Sequence, residues 1–187
     1  MQKTIEYRQM EPEDFERVIA LGNFVHGDGY LTKENLASWY TKGIKNDINA
    51  NFVAYDQDKL VGFRITYANE QWHIDNWNTP DLWQVEPQHV AYFKCATVDS
   101  SYRGYGLGKS LLNASIDQLK LQGAQAGVAH LWKQSPNNSA VAYFERCGGK
   151  HVKSHPDKWR EDALAGYECI LCGFDCHCEA AEMIIYF

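Results

Sequence analysis

The segment from His89 to Gln122 constrains this chain more than any other. His89 to Val98 (HVAYFKCATV) is rich in aromatic and β-branched residues and reads as a strand. It runs directly into DSSYRGYGLGKS, and Leu107, Leu111, Leu112, Ile116 and Leu119 then recur along one helical face, with Gly123 placed to end the helix. A strand that delivers glycines to the start of a helix makes an anion site, because unpaired amino-terminal amides and the helix dipole face outward there. Gly104, Gly106 and Gly108 alternate across the turn, so the amides near Gly106, Gly108, Lys109 and Ser110 are expected to converge on a pyrophosphate, with charge added by Arg103 and Lys109.

Spacing separates the families that use such turns. A dinucleotide fingerprint GxGxxG starting at Gly104 needs glycine where Lys109 stands, and a P-loop GxxxxGK[ST] ending at Ser110 needs glycine where Arg103 stands. The P-loop is one residue short, and the next strand, GVAHLW, ends without an aspartate for Mg²⁺. Nucleotide binding stays as a lesser alternative.

RGYGLG resembles the signature of the GNAT N-acetyltransferases (Gln or Arg, two residues, Gly, one residue, Gly or Ala), and the CATVDSSY before it is similar to that family's approach to the turn. Asn137, Ala140, Tyr143, Phe144, Glu145 and Gly148 resemble the family's NxxAxxLYExxGF helix. The likeness is tight over about Val90 to Gly149 and continues as element order from Thr4. It implies an α/β (α+β) fold, a mixed and mostly antiparallel sheet flanked by helices and splayed at the fourth and fifth strands. It also implies acetyl-CoA as cofactor, held by Ala96, Thr97 and Val98 along the pantetheine arm and by Arg103, Gly104, Tyr105, Gly106, Leu107, Gly108, Lys109 and Ser110 at the pyrophosphate. Asn137, Tyr143 and Arg146 are implied cofactor contacts from the second motif.

The implied reaction moves an acetyl group to a primary amine of a small molecule or peptide by direct attack. The backbone N–H near Val98 would stabilise the oxyanion, so no catalytic triad is required. The family's usual acid is a tyrosine at the position of Phe144. Tyr143 is the neighbouring candidate, although one residue along a helix turns a side chain by about 100°. The strand position where some relatives carry a glutamate is Tyr92, which leaves a base to be sought among Glu70, His73, Asp75 and Glu86. An acyl-CoA-binding protein without transferase activity is the alternative that the Phe144 departure favours. Cys95 and Cys147 read as small buried hydrophobes rather than nucleophiles.

The remaining pattern supports a single acyltransferase domain over residues 1–187. A strand at Thr4 to Met10 precedes a helix to about Phe24, and Thr32 caps a second helix carrying Leu36, Trp39, Tyr40 and Ile44. Asn51 to Tyr55 and Leu60 to Tyr67 form a hairpin. Ala68 to Gln88, with Trp72, Trp77 and Trp83, is a long loop, read either as an acceptor wall or as pinned to the core. Further elements are a strand at Gly127 to Trp132, a helix at Asn137 to Cys147, a strand at Lys150 to Lys153 and a terminal strand at Met183 to Phe187.

A net charge of −6 disfavours nucleic acid, and no apolar run is long enough to cross a bilayer. The amino-terminal MQKTIEYRQM lacks the apolar stretch of a secretory leader, so a cytoplasmic monomer or homodimer is expected. The atypical segment is about 155–179, which has no clean period and carries Cys169, Cys172, Cys176 and Cys178 (CILCGFDCHC). Four soft ligands suit a structural zinc, with His177 able to replace one thiol, but only three residues part Cys172 from Cys176 where common sites insert a dozen or more. Reduced thiols on neighbouring strands, or a local disulfide, are the other readings.

Overall fold

The structure is a computed structural model that describes residues 3–187; Met1 and Gln2, part of the stretch read above for a leader, lie outside the described residues. The chain divides into two compact units. The first comprises the residues up to Trp72, Gln88–Gln125 and Phe187, and the second His73–Pro87 and Ala126–Tyr186.

The first unit contains β1 (Ile5–Gln9), α1 (Phe15–His26), α2 (Lys33–Lys42), a short hairpin of β2 (Ile44–Lys45) and β3 (Ile48–Asn49), then β4 (Phe52–Asp56), β5 (Lys59–Tyr67), β6 (Val90–Val98) and α3 (Leu107–Leu121). Strands β1, β4, β5 and β6 pair in that order, each antiparallel to the next. On one face Val18, Leu21 and Leu36 of α1 and α2 pack with Val53, Phe63 and Ile65. On the other, Leu107 and Leu111 of α3 pack with Phe52, Ala54 and Val61. Each such side chain taken fully out of water contributes about 1.5–3 kcal/mol.

Local chemistry explains where the elements start and stop. Thr32 Oγ1 accepts from the Asn35 amide while Asn35 Oδ1 accepts from that of Thr32, the reciprocal cap that opens α2. The helix ends at Gly43, and Ile44, expected on its apolar face, instead opens the β2–β3 hairpin. Ser115 of α3 and Gln122, which caps its end, donate to backbone carbonyls of Ala50, Gly43 and Ile48, which ties the helix to that hairpin region. Gly123, with φ of 102°, ends α3 as its composition predicts.

The second unit contains β7 (Ala126–Trp132), α4 (Ser139–Arg146), β8 (Lys150–His155), α5 (Arg160–Leu164) and β9 (Ala180–Tyr186). Strand β9 is central and antiparallel to both β7 and β8. Three expectations are corrected here. The helix starts at Ser139, because Asn137 and Asn138 sit in left-handed conformation with φ of 56° and 53°. The terminal strand begins three residues before Met183, and five residues of the supposedly aperiodic 155–179 segment form α5. No helix among the described residues is long and apolar enough to cross a membrane.

Candidate active site

Strand β6 reaches the turn in a controlled register. Ala96, Thr97 and Val98 lie opposite Arg64, Phe63 and Gly62, and an irregularity leaves Lys94 as an extra residue between the pairs at Phe93 and Cys95. Beyond Val98 the Asp99 amide donates to Val61 O at 2.9 Å. The Asp99 carboxylate accepts from the Ser101 amide at 2.8 Å and pairs with Lys59 at 2.8 Å, contacts that hold it below the usual carboxylate range. Tyr102 is buried, and its hydroxyl donates to Asp56 at 2.7 Å. The approach is thus fastened to the β4–β5 hairpin on both sides of the chain direction.

The turn itself is exposed. Gly104 and Gly106 have φ of 83° and 79°, in the left-handed region that favours glycine, and Gly106 caps α3. A Cβ at either position would meet no atom within 4 Å. Glycine is therefore required there for backbone conformation, since no protein atom crowds either position. The first intrahelical bond runs from the Ser110 amide to Gly106 O at 3.0 Å, which places the amides of Leu107 and Lys109 ahead of the helical ladder. Arg103, Tyr105 and Lys109 are exposed around them. Amides at a helix start, open space over two glycines and two cations suit a pyrophosphate.

One residue that sequence reading passed over joins this region. His26, the last residue of α1, places Nε2 2.9 Å from Thr97 Oγ1 and packs at a tilt of 40° against Tyr30 with ring centroids 4.4 Å apart. Burial, with the positive charge of Arg103, pushes its pKa below the usual histidine value, so the imidazole is neutral near pH 7. His26 lies two residues beyond the helix end expected near Phe24, and only the α1–β6 packing makes it a neighbour of Thr97.

The four base candidates in and around the tryptophan loop fare differently. Glu70 is ion-paired with Lys45 at 2.8 Å, and Asp75 accepts from the Trp77 amide and the Asn78 side chain. His73 and Glu86 are exposed. The loop divides between the units, and its tryptophans anchor it. In the first unit Trp72 Nε1 donates to Val90 O at 2.9 Å and packs on Tyr92.

In the second unit the fully buried Trp83 donates to Glu182 Oε1 at 2.8 Å. Glu182 also accepts from the Thr79 amide at 2.9 Å, from the Thr79 hydroxyl and from His155, whose Nε2 is 2.8 Å away. Burial raises the Glu182 pKa, but these donors outweigh it and keep the carboxyl below its ordinary value. His130 Nε2 lies 2.6 Å from Trp77 O, and burial pushes its pKa down to about 4. His130, His155 and Glu182 cluster closely enough to resemble metal ligands, yet the carboxylate is already committed to Trp83, Thr79 and His155.

Also in the second unit, Tyr143 is half-buried on α4, Arg146 ends that helix exposed, and Asn137 is exposed ahead of it. Phe144 is buried, packed so closely against Gly149 that a Cβ there would fall 2.4 Å from its ring. The sulfurs of Cys169, Cys172, Cys176 and Cys178 gather in one group. His177 is not among them: its Nδ1 is 2.7 Å from Asp157 and its Nε2 3.4 Å from Asp175, which corrects its expected use as a ligand.

These features define a GNAT-like fold, mixed and mostly antiparallel, with the family's glycine turn at the start of α3. The sequence profile of the acetyltransferase (GNAT) family matches residues 11–149, and the chain belongs to that family. It is 32% identical over 120 residues to an uncharacterized N-acetyltransferase of Methanocaldococcus jannaschii; the match covers 64% of this chain, which spans about half (47%) of the length of that curated relative. Among solved structures, Ard1 from Thermoplasma volcanium aligns with a TM-score of 0.70 at 14% identity, covering 97% of each chain. Arabidopsis thaliana Naa50, in complex with the bisubstrate analogue CoA-Ac-MVNAL, aligns with a TM-score of 0.65 at 16% identity, covering 98% of this chain and 99% of that one.

Proposed function

We propose that this chain transfers an acetyl group from acetyl-CoA to a primary amine of a small molecule or peptide. The observation that carries the reading is the turn at Arg103–Ser110, where two left-handed glycines present the first amides of α3 between Arg103 and Lys109. Bound acetyl-CoA would supply the activated thioester. Arg103 and Lys109 would pair with the pyrophosphate, and the backbone of Ala96, Thr97 and Val98 would align the pantetheine arm. The Val98 amide would donate to the carbonyl oxygen as negative charge develops on it.

The amine nitrogen bonds to the acetyl carbon, the carbon–sulfur bond breaks, and one proton must leave the amine while another reaches the thiolate. His26 is the proposed acceptor of the amine proton because it is neutral and sits beside Thr97. Tyr143 is the proposed donor to sulfur; for it, and for Asn137 and Arg146 as cofactor contacts, support comes from the family motif alone. The peptide portion of the analogue bound by the Arabidopsis relative supports including peptide amino termini among the acceptors. A cytoplasmic monomer or homodimer is part of the same proposal.

A second reading, acyl-CoA binding without transfer, is favoured by one observation: the buried Phe144 offers no hydroxyl where the family motif has its tyrosine. Calorimetric titration with acetyl-CoA, ATP and NAD, followed by thiol release with a panel of peptides and small amines, tests both. Acetyl-CoA binding with amine-dependent thiol release is expected. Binding of ATP or NAD in preference to acetyl-CoA would overturn the cofactor assignment, and binding with no release across the panel would establish the second reading.

A further inference from the structure

The cysteine-rich segment lies beyond the family match, which ends at residue 149. Its geometry is more specific than its spacing. The four sulfurs of Cys169, Cys172, Cys176 and Cys178 all lie within 4.8 Å of one another. Cys178 Sγ is 3.8 Å from Cys169 Sγ and 3.7 Å from Cys172 Sγ. A tetrahedral zinc with Zn–S bonds of about 2.3 Å has sulfur–sulfur edges of about 3.8 Å. A disulfide needs about 2.05 Å, and all four thiols are free.

The backbone is arranged as a ligand support. Cys169 and Gly173 exchange two backbone hydrogen bonds, of 2.9 and 2.8 Å, and Gly173 turns the chain with φ of 71°. This closes the CILCG loop on itself between Cys169 and Gly173. Cys169, Cys176 and Cys178 are buried while Cys172 is exposed, which leaves an entry path for an ion.

Apolar packing gives this segment little support of its own. Its buried cluster is Ala163 and three of the cysteines, flanked by Trp132 and Trp159. The larger side chains point outward: Leu164, Ile170, Leu171 and Phe174 are 57–75% exposed. Segments with so small a core ordinarily need a disulfide or a metal to hold them.

We propose that Cys169, Cys172, Cys176 and Cys178 bind one Zn²⁺ ion as four thiolates, in a structural site that orders residues 155–179. Four sulfur ligands close the coordination shell and leave no position for water or substrate, so the ion does not take part in acyl transfer. Binding releases the thiol protons to solvent and involves no oxidation or reduction. The site stands independently of the acetyl-CoA reading.

The test is elemental analysis of the full chain grown with zinc and purified without a metal-affinity column, paired with thiol titration in the native state. Stoichiometric zinc is expected, with the four cluster thiols protected until a chelator and denaturant are added. Cys172→Ser should lose most of the zinc while Cys147→Ser keeps it. If Cys172→Ser fails to fold, wild-type protein stripped by chelator and loaded with Co²⁺ should show the charge-transfer absorption of a tetrahedral thiolate site. Trace zinc with freely reactive cluster thiols would overturn the proposal. So would iron in place of zinc, or an intact mass two hydrogens lighter that reveals a disulfide.

Discussion

The two units achieve order by different means. The first packs apolar helix faces against both sides of an antiparallel sheet and builds its candidate ligand site from backbone, at two left-handed glycines. The second places a buried carboxylate, Glu182, at the centre of its sheet and gathers thiols in an otherwise weakly packed segment. A site made of backbone depends on local conformation, and a hub made of polar side chains depends on every partner being present.

The largest expected effect is at that hub. Glu182→Ala leaves the Thr79 amide and hydroxyl, the Trp83 indole and His155 without their acceptor, which should destabilise the second unit by about 3–5 kcal/mol. Hydrogen exchange should show protection lost in β9 and 73–87 well before β4 and β5. Uniform loss across both units would break the distinction drawn here.

Next is His26→Gln, expected to lower the transfer rate about a hundredfold and leave acetyl-CoA affinity within about twofold. In wild type the rate should rise with pH through a group titrating below the usual histidine value, because the neutral form is the acceptor. An unchanged rate and pH profile, with chemistry limiting, would remove His26 from the mechanism.

A smaller effect, on stability, comes from His130. Its folded pKa of about 4 lies below the unfolded value of 6.5, so between those pH values the unfolded chain binds more protons. Stability from this group is full above pH 6.5 and is lost as pH falls towards 4, by about 2–3 kcal/mol. Urea unfolding of His130→Gln should therefore depend less on pH across that window. The same pH dependence in the variant would assign it to other groups.

The smallest effects belong to the turn. Gly106→Val forces a β-branched residue to φ of 79°, and acetyl-CoA affinity should fall about tenfold with little change in zinc content. Arg103→Ala should weaken binding several-fold, and less at high salt, since an exposed charge is screened. Titration of both folded variants with acetyl-CoA measures this. Unchanged affinity in Gly106→Val would remove the main support for the cofactor site.

What the chain's order of residues determined was local. The strand ending at Val98, the glycine turn and α3 follow from contiguous residues whose backbone preferences act on their neighbours, and the Thr32 cap is legible for the same reason. The family followed from two such motifs in order. Only the tertiary structure brought His26 to Thr97, 71 residues away, and Thr79, Trp83 and His155 to Glu182. It also turned Asn137 out of its helix and His177 towards Asp157, and it drew four sulfurs to within 4.8 Å of one another, a gathering that their spacing argued against. Periodicity reports which face of an element is apolar, but not which distant element will cover it, and a short polar side chain takes its role from the partner that packing supplies.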